Sequence, residues 1–239
     1  MISSPDNEKL KLVRKLHRRK QREREGLFVS EGEDLVEAGL AAGREPRLLL
    51  VAAESGLAGE EVEPELLAAA SALGSGTRAI AVWEQAWAAA ATAPCVYLHA
   101  VADPGNVGAI VRSAQALLGG TVVLGPECAD PYGPKAVRAS MGSIFATPLL
   151  RAGVEATPQP RAALVAHGGG ALDSLAPAAT LCLGAEREGL PAAVLAACEI
   201  EATIPLRPGA AESLNVAAAA AIGAERISSP AMPEATPDA

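Results

Sequence analysis

The sequence is poor in aromatic residues and has no long hydrophobic segment. Only two Trp, two Tyr and two Phe occur among 239 residues, although half of all residues are apolar. A core must therefore depend on Leu, Val and Ile, and a surface that binds by aromatic stacking is not indicated. No run approaches the roughly 20 apolar residues that cross a bilayer, and the charged N-terminus has no apolar signal segment. We expect a globular cytoplasmic protein without a membrane partner.

Cysteine and histidine also lack the spacing of a metal site. The four cysteines and three histidines are scattered, with no C-x-x-C pair among them. Structural zinc sites usually place such ligands in close pairs, and disulfide frameworks belong to oxidising compartments. We therefore expect no metal and no disulfide, and we interpret the cysteines as small core residues. They are Cys95, Cys128, Cys182 and Cys198.

Charge is concentrated in one segment. The chain carries 20 basic and 28 acidic residues, a net charge of −8. Nine basic residues stand against one acidic residue between Lys9 and Arg24, which makes this segment +8 and leaves −16 for the rest. Such a segment in an acidic protein favours contact with a polyanion there, and a solvated terminal helix is the alternative. The candidate RNA-binding residues are Arg14, Lys15, Arg18, Arg19, Lys20 and Arg22.

The first 92 residues alternate between predicted helices and strands. Ser4 and Pro5 predict the start of one basic helix, which Leu12 and Leu16 would dock on the body of the protein. Strands are expected at 28–30, 47–52 and 78–82, and helices at 31–42, 64–73 and 83–91. A turn at 91–94 ends this part. The pattern predicts a smaller α/β domain over residues 1–92.

A second alternating series covers residues 93–228. Strands are expected at 95–101, 121–124, 146–150, 162–166, 181–184 and 202–206, and helices at 107–118, 135–140, 191–197 and 213–227. Val- and Leu-rich strands alternating with helices predict a mostly parallel sheet with helices on both faces. Ligands bind such sheets beyond the carboxyl ends of the strands. The proline-containing residues 229–239 are expected to form a disordered tail.

The first candidate site segment follows a strand and spans residues 103–114, with the sequence DPGNVGAIVRSA. Asn106 could cap the helix that follows, and Gly108 allows another group to approach the backbone closely. Arg112 would lie nearly two turns into that helix. Taken singly, these residues also fit a turn, a cap and a surface arginine.

The second segment spans residues 135–143, KAVRASMGS. Lys135 and Arg138 are one helical turn apart, which suits a phosphate or a carboxylate partner. Ser140 and Gly142 close the element. A solvated helix end explains this segment equally well.

The third segment combines LGAEREGLP at 183–191 with IPL at 204–206 and SLNVA at 213–217. Gly184 leaves backbone groups open around Glu186. Ile204 and Leu206 offer an apolar wall, and their backbone groups can recognise an adenine edge. Ser213 is the expected cap of the last helix, with Asn215 in its first turn. The alternative is a capped helix packed on a buried strand.

In this order and spacing, the three segments resemble the SpoU-TrmH family of RNA ribose 2′-O-methyltransferases, within the SPOUT class. They match its Asn/Arg motif, its Ser-x-Gly motif and its Gly-x-Glu…Ile-Pro…Ser-Leu-Asn motif. The resemblance covers about 103–227, and the first 90 residues resemble, less specifically, the substrate-binding domain that often precedes this catalytic half. It implies a C-terminal trefoil knot over about 182–227, a homodimer with the active site at the subunit interface, and S-adenosylmethionine as cofactor.

The resemblance also implies residue roles. Arg112 would act on the attacking hydroxyl, while Asn106, Glu186, Ser213 and Asn215 would shape the catalytic site. Because a free arginine has a pKa above roughly 12, we expect Arg112 to stabilise developing negative charge rather than to act as a base. The cofactor would contact Leu183, Gly184, Ile204, Leu206 and Leu214. Lys135 and Arg138 join the candidate RNA-binding residues.

The expected function is S-adenosylmethionine-dependent 2′-O-methylation of RNA, with 23S ribosomal RNA as first choice. Transfer RNA, an antibiotic-resistance role on ribosomal RNA, and a catalytically silent ribosome-assembly protein remain alternatives. Methylation of a base nitrogen is less consistent with the Asn106/Arg112 pattern. A hydrolase with an oxyanion loop at 167–170 (HGGG) lacks the G-x-S-x-G nucleophile that it needs.

Overall fold

The structure, a computed structural model, describes residues 1–72, 76–207, 209 and 212–229. The chain forms two compact units. The first comprises Met1–Trp87, Ala102–Arg112 and Ala129–Thr147, and the second comprises Ala88–Val101, Ser113–Cys128 and the described residues from Pro148 on. The expected tail lies, except for Ser229, outside the described residues. No helix in the described part of the chain is both long and apolar enough to span a bilayer.

The sheet of the first unit has four strands in the order β1-β4-β2-β3. They are β1 (Leu27–Glu31), β2 (Leu48–Ala52), β3 (Glu60–Val62) and β4 (Ala79–Glu84). Strand β4 runs antiparallel to β1 and β2, whereas β2 and β3 are parallel. The three predicted strands are confirmed, and the short β3 was not predicted. The expected helix at 83–91 is wrong, because Trp83 is fully buried in β4 opposite Phe28.

The basic segment forms two helices, α1 (Glu8–Leu16) and α2 (Arg19–Glu25), rather than the single predicted helix. Helix α1 begins after Asn7, whose side chain accepts a hydrogen bond from the Lys9 amide at 2.9 Å, and not at Ser4. The chain is extended at Arg18, which separates the two helices. Two further helices, α3 (Glu33–Ala41) and α4 (Pro64–Ala70), complete this part close to the predicted positions.

The two faces of this sheet have different cores. On one face, α1 and α4 contribute a cluster of aliphatic side chains that includes Leu10, Val13, Leu16, Leu67 and Ile80. Another cluster holds most of the scarce aromatic residues. Phe28 lies with its ring centroid 4.7 Å from Tyr132 and 5.8 Å from Phe145, and Trp83 lies 4.8 Å from Phe145. Residues 129–147 therefore share a core with the first 87 residues.

Two α-helices form between residues 104 and 139. They are α5 (Pro104–Leu117) and α6 (Pro134–Ala139). Both confirm predicted helices, but α5 begins earlier than expected. The Asp103 carboxylate accepts a hydrogen bond from the Asn106 amide at 3.0 Å. Asp103 therefore caps α5, and the expected capping role of Asn106 is wrong because Asn106 already lies in the first turn.

The second unit contains six parallel strands in the order β10-β8-β9-β5-β6-β7. They are β5 (Cys95–Leu98), β6 (Thr121–Leu124), β7 (Leu149–Arg151), β8 (Arg161–Leu164), β9 (Thr180–Leu183) and β10 (Ile200–Ala202). This confirms the α/β class and the parallel sheet. Strand β7 begins later than predicted because the amides of Ala146 and Thr147 still donate to the Ser143 carbonyl of a 3-10 turn. Strand β10 lies mostly before the predicted range.

Helices α7 (Ala192–Leu195) and α8 (Val216–Ser228) cover opposite faces of this sheet. Successive residues of a strand point to opposite faces. Leu181 contacts α8 at Gly223, where a Cβ atom would come within 2.8 Å of the Leu181 side chain. Cys182 faces the other way and packs in a cluster with Val194 of α7. Three of the four cysteines are buried, as predicted, and Cys198 is only partly buried.

Candidate functional site

A cavity of about 340 Å³ lies beyond the carboxyl ends of β8, β9 and β10. This is the position that a parallel sheet predicts for a ligand. Its lining is formed by residues 164–167 after β8, 183–190 after β9, Ile204 and Leu206 after β10, and Ser213, Leu214, Val216 and Ala219 around the start of α8. The structure thus brings together all five predicted cofactor-contacting residues with Glu186 and Ser213.

The loop after β9 is a tight hairpin that requires glycine. The Ala185 amide donates to the Gly189 carbonyl at 3.1 Å, and the Gly189 amide donates back to Ala185 at 3.0 Å. Gly189 has a φ of +68°, a left-handed conformation that favours glycine. A Cβ atom on Gly184 would lie 2.1 Å from the Gly189 carbonyl carbon. Both glycines are therefore needed to present Glu186 at the cavity.

Asn215 connects the start of α8 to that hairpin. Its Oδ1 accepts hydrogen bonds from the amides of Ala217 at 2.9 Å and Ala218 at 3.3 Å. Its Nδ2 donates to Glu186 Oε1 at 3.4 Å. The prediction that Ser213 caps α8 is therefore wrong, because Asn215 is the N-cap of this helix. The same side chain orders the helix start and orients the Glu186 carboxylate.

Asn106 and Arg112 lie on α5 in the first unit, while Glu186, Ser213 and Asn215 lie in the second unit. Arg112 is exposed. Gly108, between them, provides the close approach expected from the sequence. A Cβ atom there would lie 2.2 Å from the Ala136 carbonyl oxygen. Helix α6 therefore packs directly on the backbone of α5.

Lys135 and Arg138, the predicted basic pair of α6, are both exposed. The Lys135 ammonium donates to Asp103 Oδ2 at 2.7 Å. This hydrogen bond, together with the one from the Asn106 amide, holds the pKa of Asp103 below its usual value. Lys135 thus already has a carboxylate partner on the segment that carries Asn106.

The candidate RNA-binding residues between Arg14 and Arg22 differ in their exposure. Arg18, Arg19 and Lys20 are exposed. Arg14 and Lys15 are partly buried, and each has a partner: Arg14 donates to the Pro5 carbonyl at 2.6 Å, and Lys15 pairs with Glu25 at 2.7 Å.

Arg22 does not fit the predicted RNA-binding set. Its side chain is 5% exposed and pairs with Asp130, whose side chain is 6% exposed, at 2.7 Å. Its Nη1 also donates to the Leu16 carbonyl at 2.8 Å, at the end of α1. The guanidinium is therefore occupied inside the first unit, and we remove Arg22 from the candidate RNA-binding residues.

Sequence reasoning missed two residues that the structure places at functional positions. Asp103 caps α5, and an Asp followed by Pro at a helix start is a recognisable signal that could have identified it. His167 lines the cavity at the end of β8, although the sequence pattern suggested for it only a role in an oxyanion loop. The loop that follows His167 is hydrogen-bonded to the residue after β10. The Gly169 amide donates to Thr203 Oγ1 at 2.9 Å.

Two protein families match successive parts of the chain. Residues 93–224 match the SpoU rRNA Methylase family, and residues 7–93 match the MRM3-like substrate binding domain. The first match contains the cavity and both motif-bearing helices, α5 and α6. The second contains the basic helices α1 and α2.

Known proteins of similar length align with nearly the whole chain. The 23S rRNA (guanosine(2553)-2′-O)-methyltransferase RlmP of Bacillus subtilis is 34% identical over 223 residues, which cover 86% of this chain and 90% of that protein. The AdoMet-bound rRNA methyltransferase of Sinorhizobium meliloti has a TM-score of 0.81 at 27% identity, with 95% and 96% of the two chains covered. The SpoU methyltransferase AviRb of Streptomyces viridochromogenes, in complex with AdoMet, has a TM-score of 0.78 at 27% identity, with 92% and 97% covered.

Proposed function

We propose that this chain, which belongs to the SpoU rRNA Methylase family, transfers the methyl group of S-adenosylmethionine to a ribose 2′-hydroxyl of 23S ribosomal RNA. The observation that carries the proposal is the cavity beyond β8, β9 and β10, where Gly184, Glu186, Ile204 and Ser213 meet. The relative in Bacillus subtilis, which aligns over most of both chains, is named as a 23S rRNA methyltransferase.

The residues of the cavity fit S-adenosylmethionine. Its volume of about 340 Å³ lies within the range of small-molecule sites. Ile204, Leu206 and Leu214 give an apolar wall for an adenine ring, with their backbone groups available for its polar edge. The hairpin formed by Gly184 and Gly189 lines one side of that space. We assign cofactor contacts to these residues and to Leu183.

When bound, the cofactor supplies a methyl group that its sulfonium already activates. In the transfer, the bond between ribose oxygen and methyl carbon forms as the carbon–sulfur bond breaks, and the hydroxyl loses its proton to phosphate or water. We assign to Arg112 the stabilisation of the negative charge that develops on the ribose oxygen. As the resemblance implies, Asn106 on the same helix and Ser213 at the cavity would take part in substrate binding.

Glu186 is held in place by Asn215, which also caps α8. This pair gives the cavity a carboxylate that accepts a hydrogen bond from the residue capping α8. We assign to it the orientation of the substrate and cofactor rather than proton removal. The assignment is supported by the hydrogen bonds of Asn215, which leave its amide group little rotational freedom.

Several broader features belong to the same proposal. We propose a cytoplasmic homodimer with the active site at the subunit interface and a trefoil knot over about 182–227, as the resemblance implies. Residues 1–92 would bind substrate RNA and residues 93–228 would carry catalysis. The exposed residues Arg18, Arg19, Lys20 and Arg138, together with Arg14 and Lys15, would contact RNA phosphates, so binding should weaken steeply with salt.

The test is methyl transfer from radiolabelled S-adenosylmethionine to purified 23S rRNA, with 16S rRNA and transfer RNA in parallel. We expect label in 23S rRNA at one position that resists alkaline hydrolysis. Label confined to transfer RNA would move the proposal to that substrate. Cofactor binding measured by calorimetry separates an enzyme lacking its substrate from a catalytically silent protein, because only the silent protein fails to bind.

A further inference from the structure

One carboxylate joins the second motif segment to the first turn of α5. Asp103 Oδ1 accepts the Asn106 amide at 3.0 Å, and Asp103 Oδ2 accepts the Lys135 ammonium at 2.7 Å. The two oxygens of Asp103 therefore hold a backbone group of the first motif and a side chain of the second. The pKa of Asp103 is lowered, first by Lys135 and then by the Asn106 amide, because both donors favour the ionised carboxylate.

The backbones of α5 and α6 are in contact beside this ion pair. A Cβ atom on Gly108 would lie 2.2 Å from the Ala136 carbonyl oxygen and 2.8 Å from the Ala139 Cβ. A Cβ atom on Gly105 would lie 2.7 Å from Asp103 Oδ1 and 3.2 Å from Lys135 Cε. The stem of Lys135 therefore lies along the first turn of α5, where no side chain intervenes.

We propose that Lys135 is a positioning residue for methyl transfer, acting through Asp103 on the helix that carries Asn106 and Arg112, and not an RNA phosphate ligand. The inference rests on the proposed function. The first turn of a helix frays most easily, because its amides lack partners within the helix. The hydrogen bonds of Asp103 fix the first turn of α5, and the close contact at Gly108 fixes the next turn. Together they set the direction of Asn106 and of the helix axis that leads to Arg112.

This role makes a different kinetic prediction from phosphate binding. A residue that positions catalytic groups affects the chemical step, whereas a phosphate ligand contributes to the affinity for RNA and to its dependence on salt. Misplacement of reacting groups by a fraction of an ångström to one ångström lowers rates by about tenfold to a hundredfold. Loss of the Lys135 charge should therefore lower kcat and leave KM for RNA nearly unchanged.

The test compares Lys135→Gln, Asp103→Asn and the double variant with wild type, at saturating S-adenosylmethionine. Asp103→Asn keeps an oxygen that can cap α5 and removes only the charge. We expect each single variant to lower kcat about tenfold, with KM for RNA within about twofold of the wild-type value. The kcat of the double variant should be no lower than that of the less active single variant, because both substitutions break the same ion pair. Lys135→Arg, which keeps the charge, should recover most of the rate.

The matched control is Arg47→Gln. Arg47 pairs with Glu84 at 3.0 Å, and its side chain is 66% exposed, as is that of Lys135. It belongs to no motif segment and does not contact α5 or α6 through its ion pair, so we expect wild-type kcat. An independent readout is hydrogen exchange at the Asn106 amide, which should be faster in Lys135→Gln at unchanged thermal stability.

Three outcomes would overturn the inference. One is a raised KM for RNA at unchanged kcat, with the slope of log affinity against log salt reduced by about one, which would make Lys135 a phosphate ligand. Another is wild-type kinetics in both single variants, and a third is full additivity in the double variant. Absence of methyl transfer by the wild-type enzyme would instead reject the proposed function.

Discussion

Arg22 donates two hydrogen bonds to the same oxygen of Asp130, from Nε at 2.9 Å and from Nη2 at 2.7 Å. The two residues are 108 positions apart in the chain, and both side chains are almost fully buried. A third hydrogen bond from Arg22 reaches the carbonyl of Leu16 at the end of α1. This arrangement ties the basic segment to residues 129–147 and turns one of its arginines into a structural residue.

Removing one partner of this pair should destabilise the protein strongly. Arg22→Met leaves the buried Asp130 carboxylate without the Arg22 guanidinium, and removing one member of a buried ion pair typically costs about 3–5 kcal/mol. We expect a loss of this size in the free energy of unfolding, measured with denaturant. The control Arg18→Met, at an exposed position, should change it by less than about 0.5 kcal/mol. Equal stability of the two variants would contradict the structural role of Arg22.

Gly184→Ala should weaken cofactor binding strongly, with little effect on the rest of the fold. The added Cβ atom would overlap the Gly189 carbonyl group at 2.1 Å and open the hairpin around Glu186. We expect the affinity for S-adenosylhomocysteine, measured by calorimetry, to fall by about a hundredfold or more, which corresponds to roughly 2.7 kcal/mol. Gly170→Ala is the matched control, because its Cβ atom would make only an ordinary contact at 3.4 Å. Equal affinities in the two variants would contradict the account.

Asn215 has two roles that substitution can separate. Asn215→Asp keeps the oxygen that caps α8 but places a carboxylate where Nδ2 donates to Glu186, so we expect normal stability and a large loss of turnover. Asn215→Ala should in addition cost about 1 kcal/mol of stability through loss of the cap.

The matched stability control for Asn215 is Ser213→Ala. Ser213 is not the N-cap of α8, so its substitution should leave the free energy of unfolding unchanged. Chemical unfolding and single-turnover methylation measure the two effects. A stability loss in Ser213→Ala equal to that in Asn215→Ala would restore Ser213 as the cap, and full turnover in Asn215→Asp would remove the link to Glu186.

Arg112→Ala should leave cofactor binding intact and lower turnover by about a hundredfold or more, the usual cost of losing a charge-stabilising group. Arg112→Lys should recover only part of the rate, because an ammonium cannot reproduce the planar guanidinium geometry. Calorimetry with S-adenosylhomocysteine and single-turnover methylation are the measurements. Near-normal turnover of the alanine variant would exclude Arg112 from the mechanism.

The elements that the sequence predicted well are those whose pattern is local. The buried strands β5, β6 and β9 are short and mostly apolar, and the carboxyl end of β9 places Gly184 at the cavity, as expected for a parallel sheet. The spacing of the motif residues then identified the family to which the chain belongs.

The predictions that failed depended on contacts between distant parts of the chain or on a choice between adjacent caps. Trp83 continues β4 rather than starting a helix because it is buried against Phe145, far away in the sequence. The burial of Arg22 depends on Asp130, and nothing near Arg22 signals it. At three helix starts the sequence favours one polar residue, whereas a polar residue two or three positions away is the cap. Asn7, Asp103 and Asn215 cap α1, α5 and α8 in place of the expected Ser4, Asn106 and Ser213.

The most direct test of the central claim is the chemical identity of the methylated nucleoside. Labelled 23S rRNA from the methyl-transfer reaction would be digested completely to nucleosides and analysed by mass spectrometry, with fragmentation separating ribose from base. The account predicts that the methyl group remains with the ribose fragment, that it occurs once per RNA molecule, and that Arg112→Ala yields almost none. A methyl group on the base fragment, or no methylated product from an enzyme that binds S-adenosylmethionine and RNA, would contradict it.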